Sequence, residues 1–175
     1  ASVTATENTV MAAVLAQGRT VIDNAACEPH VQELCLLLNK MGGDIEGIGT
    51  NRLVIHGVQS LGRADFEIGA DYLEVASFMT LAALTGGEML IENASTEHMR
   101  MILQQFARLG ILGQPRGKDL FVQRGQPLQV RADYRGAVPH LADAPWPGFP
   151  ADLTSVALVA ATKSQGEVLI HEKMF

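Results

Sequence analysis

No cluster of lysine or arginine occurs anywhere in this chain, and its formal net charge is -6. Tracking a phosphate backbone requires such cations, so nucleic-acid binding is not expected. The same absence argues against an electrostatic membrane patch. Cysteine is scarce: Cys27 and Cys35 are too few for a disulfide scaffold and lack metal-ligand spacing. A reducing, cytoplasmic setting fits that usage. No uncharged apolar run reaches the roughly 18 residues of a spanning helix, and no signal peptide opens the chain. P-loop and dinucleotide glycine patterns are missing. The five histidines offer no pair at ligand spacing, so neither a metal nor a cofactor is expected. There is no initiator Met, and the last residues, GEVLIHEKMF, read as a strand with nothing after it. Both ends read as cuts through structure, and a fragment is expected.

What is present is a globular balance, 47% hydrophobic and 18% charged, with ample apolar area for a core. It is also a repeat. AQGRTVIDNA at 16–25 matches TGGEMLIENA at 85–94, with Gly18, Ile22, Asn24 and Ala25 answered by Gly87, Ile91, Asn93 and Ala94. After one deletion, Val31, Leu34, Cys35, Leu38 and Met41 are answered by Met99, Ile102, Leu103, Phe106 and Leu109. In the same frame Gly42, Gly49, Val54 and Gly57 are answered by Gly110, Gly117, Val122 and Gly125. A fixed period of roughly seventy residues is the signature of stacked structural units.

Each copy predicts the same elements. An Ala-rich apolar helix comes first, at 6–17 and at 71–84, and its nearly continuous hydrophobicity predicts burial. Strands Thr20–Asp23 and Met89–Glu92 follow. Next is an amphipathic helix with one apolar stripe. Pro29 sits in the first turn of the first such helix, and Thr96 is expected to cap the second. Gly42 and Gly110 fit the left-handed position that ends helices. Two short strands close each unit, near 44–48 and 52–56, then 111–114 and 119–123, separated by Gly49-Thr50-Asn51 and Gly117-Lys118-Asp119. A further strand at Asp65–Ile68 would make the unit βαβαββ. A third copy starts after the Pro-rich stretch 139–150, with a helix at Asp152–Ala161 and a strand at Val168–Ile170. The fold class is therefore α/β in the broader α+β sense: two full copies and part of a third, divided at 1–62, 63–138 and 139–175.

Glu28, Asp71, Glu74 and Asp152 all sit at helix starts, where the helix dipole and free N–H groups stabilise a carboxylate. Capping is the plain role for Glu28 and Glu74. Asp71 and Asp152 head equivalent helices. Asp152 ends the stretch PHLADAPWPGFPAD, where Pro145, Pro147 and Pro150 hold an extended approach, and Trp146 and Phe149 are placed to wall the carboxylate. A rigidly presented carboxylate on a seam between copies suits a general base; capping is the competing role. Cys27 lies before a helix, where the dipole lowers a thiol pKa, and Cys35 lies on the apolar stripe of the core.

Several stretches together resemble the enolpyruvyl transferases, most closely those acting on a UDP-sugar. They are SVTAT (2–6), GRTVIDNAACEPHV (18–31), LNKMGGDIEGIGTNRLVIHGV (38–58), the helix start at Asp71-Tyr72-Leu73-Glu74, APWPGFPAD (144–152) and GEVLIHEKMF (166–175). The resemblance implies an inside-out α/β barrel of two three-repeat domains. The chain would then hold the last repeat of one domain, the first of the other and the opening of the next.

It also implies an activity: transfer of enolpyruvyl from phosphoenolpyruvate to the 3-hydroxyl of UDP-N-acetylglucosamine in peptidoglycan synthesis. By the same resemblance Asp152 is the catalytic base, Ser2, Val3 and Thr4 line the diphosphate, and Met174 and Phe175 meet the sugar nucleotide through their backbone. Thr4 stands where the family has Gly, and His30 where it usually has an acid. The family's reactive Cys, its Lys-Asn pair and its phosphate-binding Arg residues lie outside this chain, which alone is expected to be inactive. Its exposed repeat seams would favour self-association. Two other readings stay open: the same fold acting on shikimate 3-phosphate, and a non-catalytic repeat scaffold.

Overall fold

The structure is a computed structural model that describes residues 1–174. Contacts divide the chain into two units, Ala1–Gly69 and a second beginning at Ala70.

In the first unit, α1 spans Val3–Ala13, β1 Arg19–Asp23, α2 Pro29–Lys40, β2 Asp44–Glu46 and β3 Arg52–His56. The strands form an antiparallel sheet in the order β1-β3-β2. Leu53 and Ile55 alternate inward from the central strand and are buried with Val10, Val14, Cys35 and Leu38 of the two helices. Helix α1 starts earlier than the Ala-rich run suggests because the Ser2 hydroxyl accepts from Ala5 N at 3.4 Å. It also stops earlier: the Val14 carbonyl accepts from Val58 N at 2.8 Å instead of continuing the helix. Pro29 opens α2, and Gly42 (φ 102°) ends its last turn as expected.

In the second unit, α3 spans Tyr72–Leu84, β4 Met89–Ile91, α4 Arg100–Arg108, β5 Gly113–Arg116 and β6 Asp119–Val122. Their sheet, β4-β6-β5, is again antiparallel with the last strand in the middle. Then come β7 (His140–Ala142), α5 (Thr154–Lys163) and β8 (Leu169–His171), with β7 and β8 paired in parallel. The class is mixed α/β.

The repeated Asn-Ala has a structural cause. Asn24 and Asn93 both take left-handed backbone, at φ 57° and 50°, which Asn tolerates better than most residues. The following Ala25 and Ala94 are buried. Their N–H groups reach the β-hairpin turns, at Asn51 O (2.9 Å) and Lys118 O (2.7 Å).

Four expectations need correction. Asp65–Ile68 forms no strand: Ile68 is 81% exposed, and the next N–H, at Gly69, goes to the Glu33 carboxylate at 3.1 Å. Each three-stranded unit is thus αβαββ. Thr96 does not cap a helix. It begins a short 3-10 turn, Thr96–His98, and its hydroxyl donates to Gly117 O at 2.9 Å. The strand expected at 111–114 begins at Gly113, because Ile111 is buried and closes the end of α4 through Phe106 O, while Gln126 holds both polar groups of Leu112. Finally, Val122 corresponds to Ile55, not Val54. Ile55 faces Ile45, and Val122 faces Gly113. The second hairpin turn is one residue shorter, which moves β6 by one position. A one-residue slip reverses which side chains face the core, and Leu120 and Val122 are both fully buried, like Leu53 and Ile55.

The corrected frame exposes a volume exchange. Where the first unit packs Val10 and Ile45, the second packs Met79 and Gly113. A Cβ on Gly113 would lie 2.8 Å from Met79 Sδ and 2.7 Å from Leu103 Cδ2. Gly113→Ala is therefore expected to destabilise by about 1–3 kcal/mol through overpacking. Met79→Val should restore part of that loss, as read by a thermal double-mutant cycle. Simple additivity of the two changes would refute the exchange.

Candidate functional site

One concavity of the second unit lies between the start of α5 and the end of β8. It encloses about 520 Å³ and is lined by Asp152, Thr154, Ser155, Leu158, Ile170 and Glu172 among others. Three groups of contacts position it. Arg108 at the end of α4 donates to Asp133 at 2.6 Å and to His140 O at 2.9 Å, fixing the entry to β7. Ser164 at the end of α5 donates to Leu109 O at 2.7 Å. Val130 N reaches Gln165 O at 2.8 Å, and Gln165 N reaches Leu128 O at 2.7 Å.

The Pro-rich approach is anchored by its aromatics, not walled by them. Phe149 is buried against Phe106, with centroids 6.1 Å apart, and Trp146 packs on Tyr72 at 5.2 Å and edge-on to His98. Neither ring is among the residues lining the cavity. They clamp the segment that delivers Asp152.

The two aspartates that head equivalent helices behave differently. Asp71 caps α3, accepting from Leu73 N at 2.8 Å and Glu74 N at 3.4 Å. Asp152 sits inside a 3-10 turn, Ala151–Leu153, that precedes α5. No cap bond, other hydrogen bond or ion pair of its carboxylate is found among the described residues. It is exposed toward the cavity. Thr154 Oγ1, in the same lining, is buried without a partner among the described residues. A free carboxylate beside an unsatisfied hydroxyl is equipped to accept a proton and orient a polar ligand.

Other expectations fare variously. Glu28 occupies the N-cap position of α2 without a cap bond, and its Oε2 is buried with no partner among the described residues. Its carboxylate is spent on neither N–H, so it is not a cap. Glu74 lies in the first turn of α3, but the cap there is Asp71, not Glu74. Burial, with the Glu28 charge second, raises the Cys27 thiol pKa instead of lowering it. Cys35, a core residue, is pushed by burial to about 11. His140 and His171, distant in sequence, stack at 5.8 Å on the paired strands β7 and β8. No set of three or more His, Cys, Asp or Glu able to hold a metal occurs among the described residues. No helix among them is long and apolar enough to cross a membrane.

Ser2, Val3 and Thr4 form the start of α1 in the first unit. Ser2 is its cap and the Thr4 carbonyl accepts from Asn8 Nδ2 at 2.8 Å. Met174 lies just past β8 in the second unit, and Phe175 is outside the described residues. Two residues escaped the sequence reading. Thr6 is buried and ties α1 to the Asn-Ala stretch, donating to Ser2 O at 2.7 Å and accepting from Ala26 N at 3.0 Å. Asp143 is 3% exposed and accepts from Lys173 N at 2.6 Å and Met174 N at 3.1 Å. Their partners lie about 20 and 30 residues away, so no local spacing flagged either.

A family model described as EPSP synthase (3-phosphoshikimate 1-carboxyvinyltransferase) matches residues 1–175. The chain belongs to this enolpyruvyl transferase family. Curated relatives named UDP-N-acetylglucosamine 1-carboxyvinyltransferase include those of Borreliella burgdorferi, 53% identical over 175 residues, and Bradyrhizobium diazoefficiens, 51% over 174. These matches take in 100% and 99% of this chain, but only 41% and 40% of the relatives. The chain thus spans about two-fifths of the length of the curated enolpyruvyl transferases it matches. The crystal structure of the enolpyruvyl transferase NikO from Streptomyces tendae is similar with a TM-score of 0.76 at 18% identity, covering 97% of this chain and 39% of that one. At that identity the likeness speaks to fold alone.

The two aspartates are separable by stability. Asp71→Ala should cost about 1 kcal/mol through the lost cap. Asp152→Ala should stay within about 0.5 kcal/mol of wild type. Urea denaturation midpoints measure both, and equal losses would return Asp152 to a structural role.

Proposed function

We propose that this chain is part of a longer transferase that moves the enolpyruvyl group of phosphoenolpyruvate onto the 3-hydroxyl of UDP-N-acetylglucosamine, a cytoplasmic step of peptidoglycan precursor synthesis. The observation that carries the reading is the unpartnered Asp152 carboxylate at the end of APWPGFPAD, presented to a cavity. The names of relatives near 50% identity support the UDP-sugar as acceptor. The family model's description names the shikimate 3-phosphate reaction, which these whole-chain identities favour less.

In this reading Asp152 takes the proton of the acceptor hydroxyl as the hydroxyl oxygen bonds to C2 of the enolpyruvyl donor and C3 takes up a proton; loss of a C3 proton as the C2–O bond to phosphate breaks then restores the double bond and completes the transfer. A carboxylate bound to no protein donor keeps its lone pairs for that proton. Ser2, Val3 and Thr4, at a helix start, suit a diphosphate. The backbone at Met174 and Phe175 meets the sugar nucleotide.

The architecture follows the same reading. Residues 1–62 are the last repeat of one domain, 63–138 the first of the other and 139–175 the opening of the next. Phe78, Leu81, Leu158 and Val159 leave apolar surface exposed on α3 and α5, which suits cover by further repeats or by self-association.

In the full-length protein, Asp152→Ala should lower kcat by about 10²-fold or more while UDP-N-acetylglucosamine still binds. Near-normal turnover would overturn the assignment. The 175-residue chain alone should show no turnover with both substrates, since the cations that hold anionic substrates lie outside it; steady-state phosphate release checks this.

A further inference from the structure

The parallel pairing of β7 and β8 covers three residue pairs and ends at Ala142 and His171. Beyond it the β7 side turns into Ala144-Pro145-Trp146-Pro147, where two residues have no N–H and Ala144 N already bonds Phe149 O at 2.9 Å. The β8 side runs on through Glu172, Lys173 and Met174. Their backbone has lost its strand partner, and the Asp143 carboxylate supplies the replacement. One oxygen takes Lys173 N at 2.6 Å and the other takes Met174 N at 3.1 Å.

Asp143 is 3% exposed and has no cationic partner among the described residues. A buried carboxylate is a costly way to end a two-stranded sheet, since desolvation opposes it and only hydrogen bonds to the charge offset that cost. Exposed strand ends are ordinarily left to water. Two charge-assisted bonds to consecutive N–H groups fix the direction of the segment, not merely its proximity. The segment so fixed begins with Glu172, which lines the same cavity as Asp152, and ends at Met174.

We propose that Asp143 is a positioning residue for the sugar-nucleotide site, holding the Glu172–Met174 backbone in place as one wall of the Asp152 cavity. The inference rests on the UDP-sugar reading above. Asp143 touches no reacting atom, so its loss weakens acceptor binding more than chemistry.

The test uses the full-length protein with Asp143→Ala and the isosteric Asp143→Asn, whose amide accepts one N–H and opposes the other. Each should raise KM for UDP-N-acetylglucosamine about tenfold, with kcat and KM for phosphoenolpyruvate within about twofold. Amide hydrogen exchange should quicken at Lys173 and Met174 while Ile170 and His171 in β8 stay protected. Thermal denaturation of Asp143→Asn guards against misfolding. An unchanged acceptor KM, or kcat and both KM values worsening together with thermal stability, would overturn the proposal and leave Asp143 a strand-end lock. A wild-type protein that does not turn over UDP-N-acetylglucosamine would sink the functional reading instead, and unaltered exchange at Lys173 and Met174 would then remove the clamp as well.

Discussion

A three-stranded sheet cannot bury its own apolar face, and most of this chain follows from how that face is covered. In each unit the last strand of the three-stranded sheet is central and carries the inward pair, Leu53 and Ile55 or Leu120 and Val122. Two helices close over the pair. One sets Val10 (in α1) or Met79 (in α3) against the sheet, and the other is amphipathic with its stripe turned inward. The connecting corners are then constrained. The chain must turn sharply after the first strand to launch the second helix, and the left-handed Asn with a buried Ala behind it does so in both units. The volume beneath the sheet must also be filled once only, so a longer Met79 stands with a Gly113 where a Val10 stands with an Ile45.

The same economy makes Asp152 available. At the start of α3 the aspartate is consumed by two backbone N–H groups. At α5 a 3-10 turn intervenes, and the prolines and the buried Phe149 bring the chain in from a fixed direction. The carboxylate is left without work in the fold. Two aspartates near the starts of α3 and α5 thus differ, one serving helix stability and one facing an open concavity. A carboxylate free of structural duty is one that ligand chemistry can use.

Much of this was legible in the residues. The repeat, the apolar and amphipathic helices, the helix-ending glycines and the core role of Cys35 are all local or periodic features. Periodicity reports which side of an element meets the core. What failed was whatever depended on partners distant in sequence. The Asp65–Ile68 strand needed a neighbour that it does not have. Thr96 found a carbonyl across the hairpin instead of its own helix. The register of β6 turned on one residue in a turn, which alignment by similarity passed over. Cys27 was read from its helix start, whereas burial and Glu28 set its direction. The Asp143 clamp and the His140–His171 stack were invisible because their members are far apart in the chain.

By itself the sequence determined that the chain repeats, with a helix, a strand, a second helix and a hairpin in each copy, the family to which the chain belongs and the candidacy of Asp152. Those depend on composition, spacing and short motifs, which survive without coordinates. Only the tertiary structure decided that the repeat runs in the shifted β6 register, that Trp146 and Phe149 anchor instead of lining, and that Asp71 caps while Asp152 does not. The physical reason is the same in each case. A carboxylate, a ring or a strand edge takes its role from what lies against it, and folding, not sequence order, chooses that neighbour.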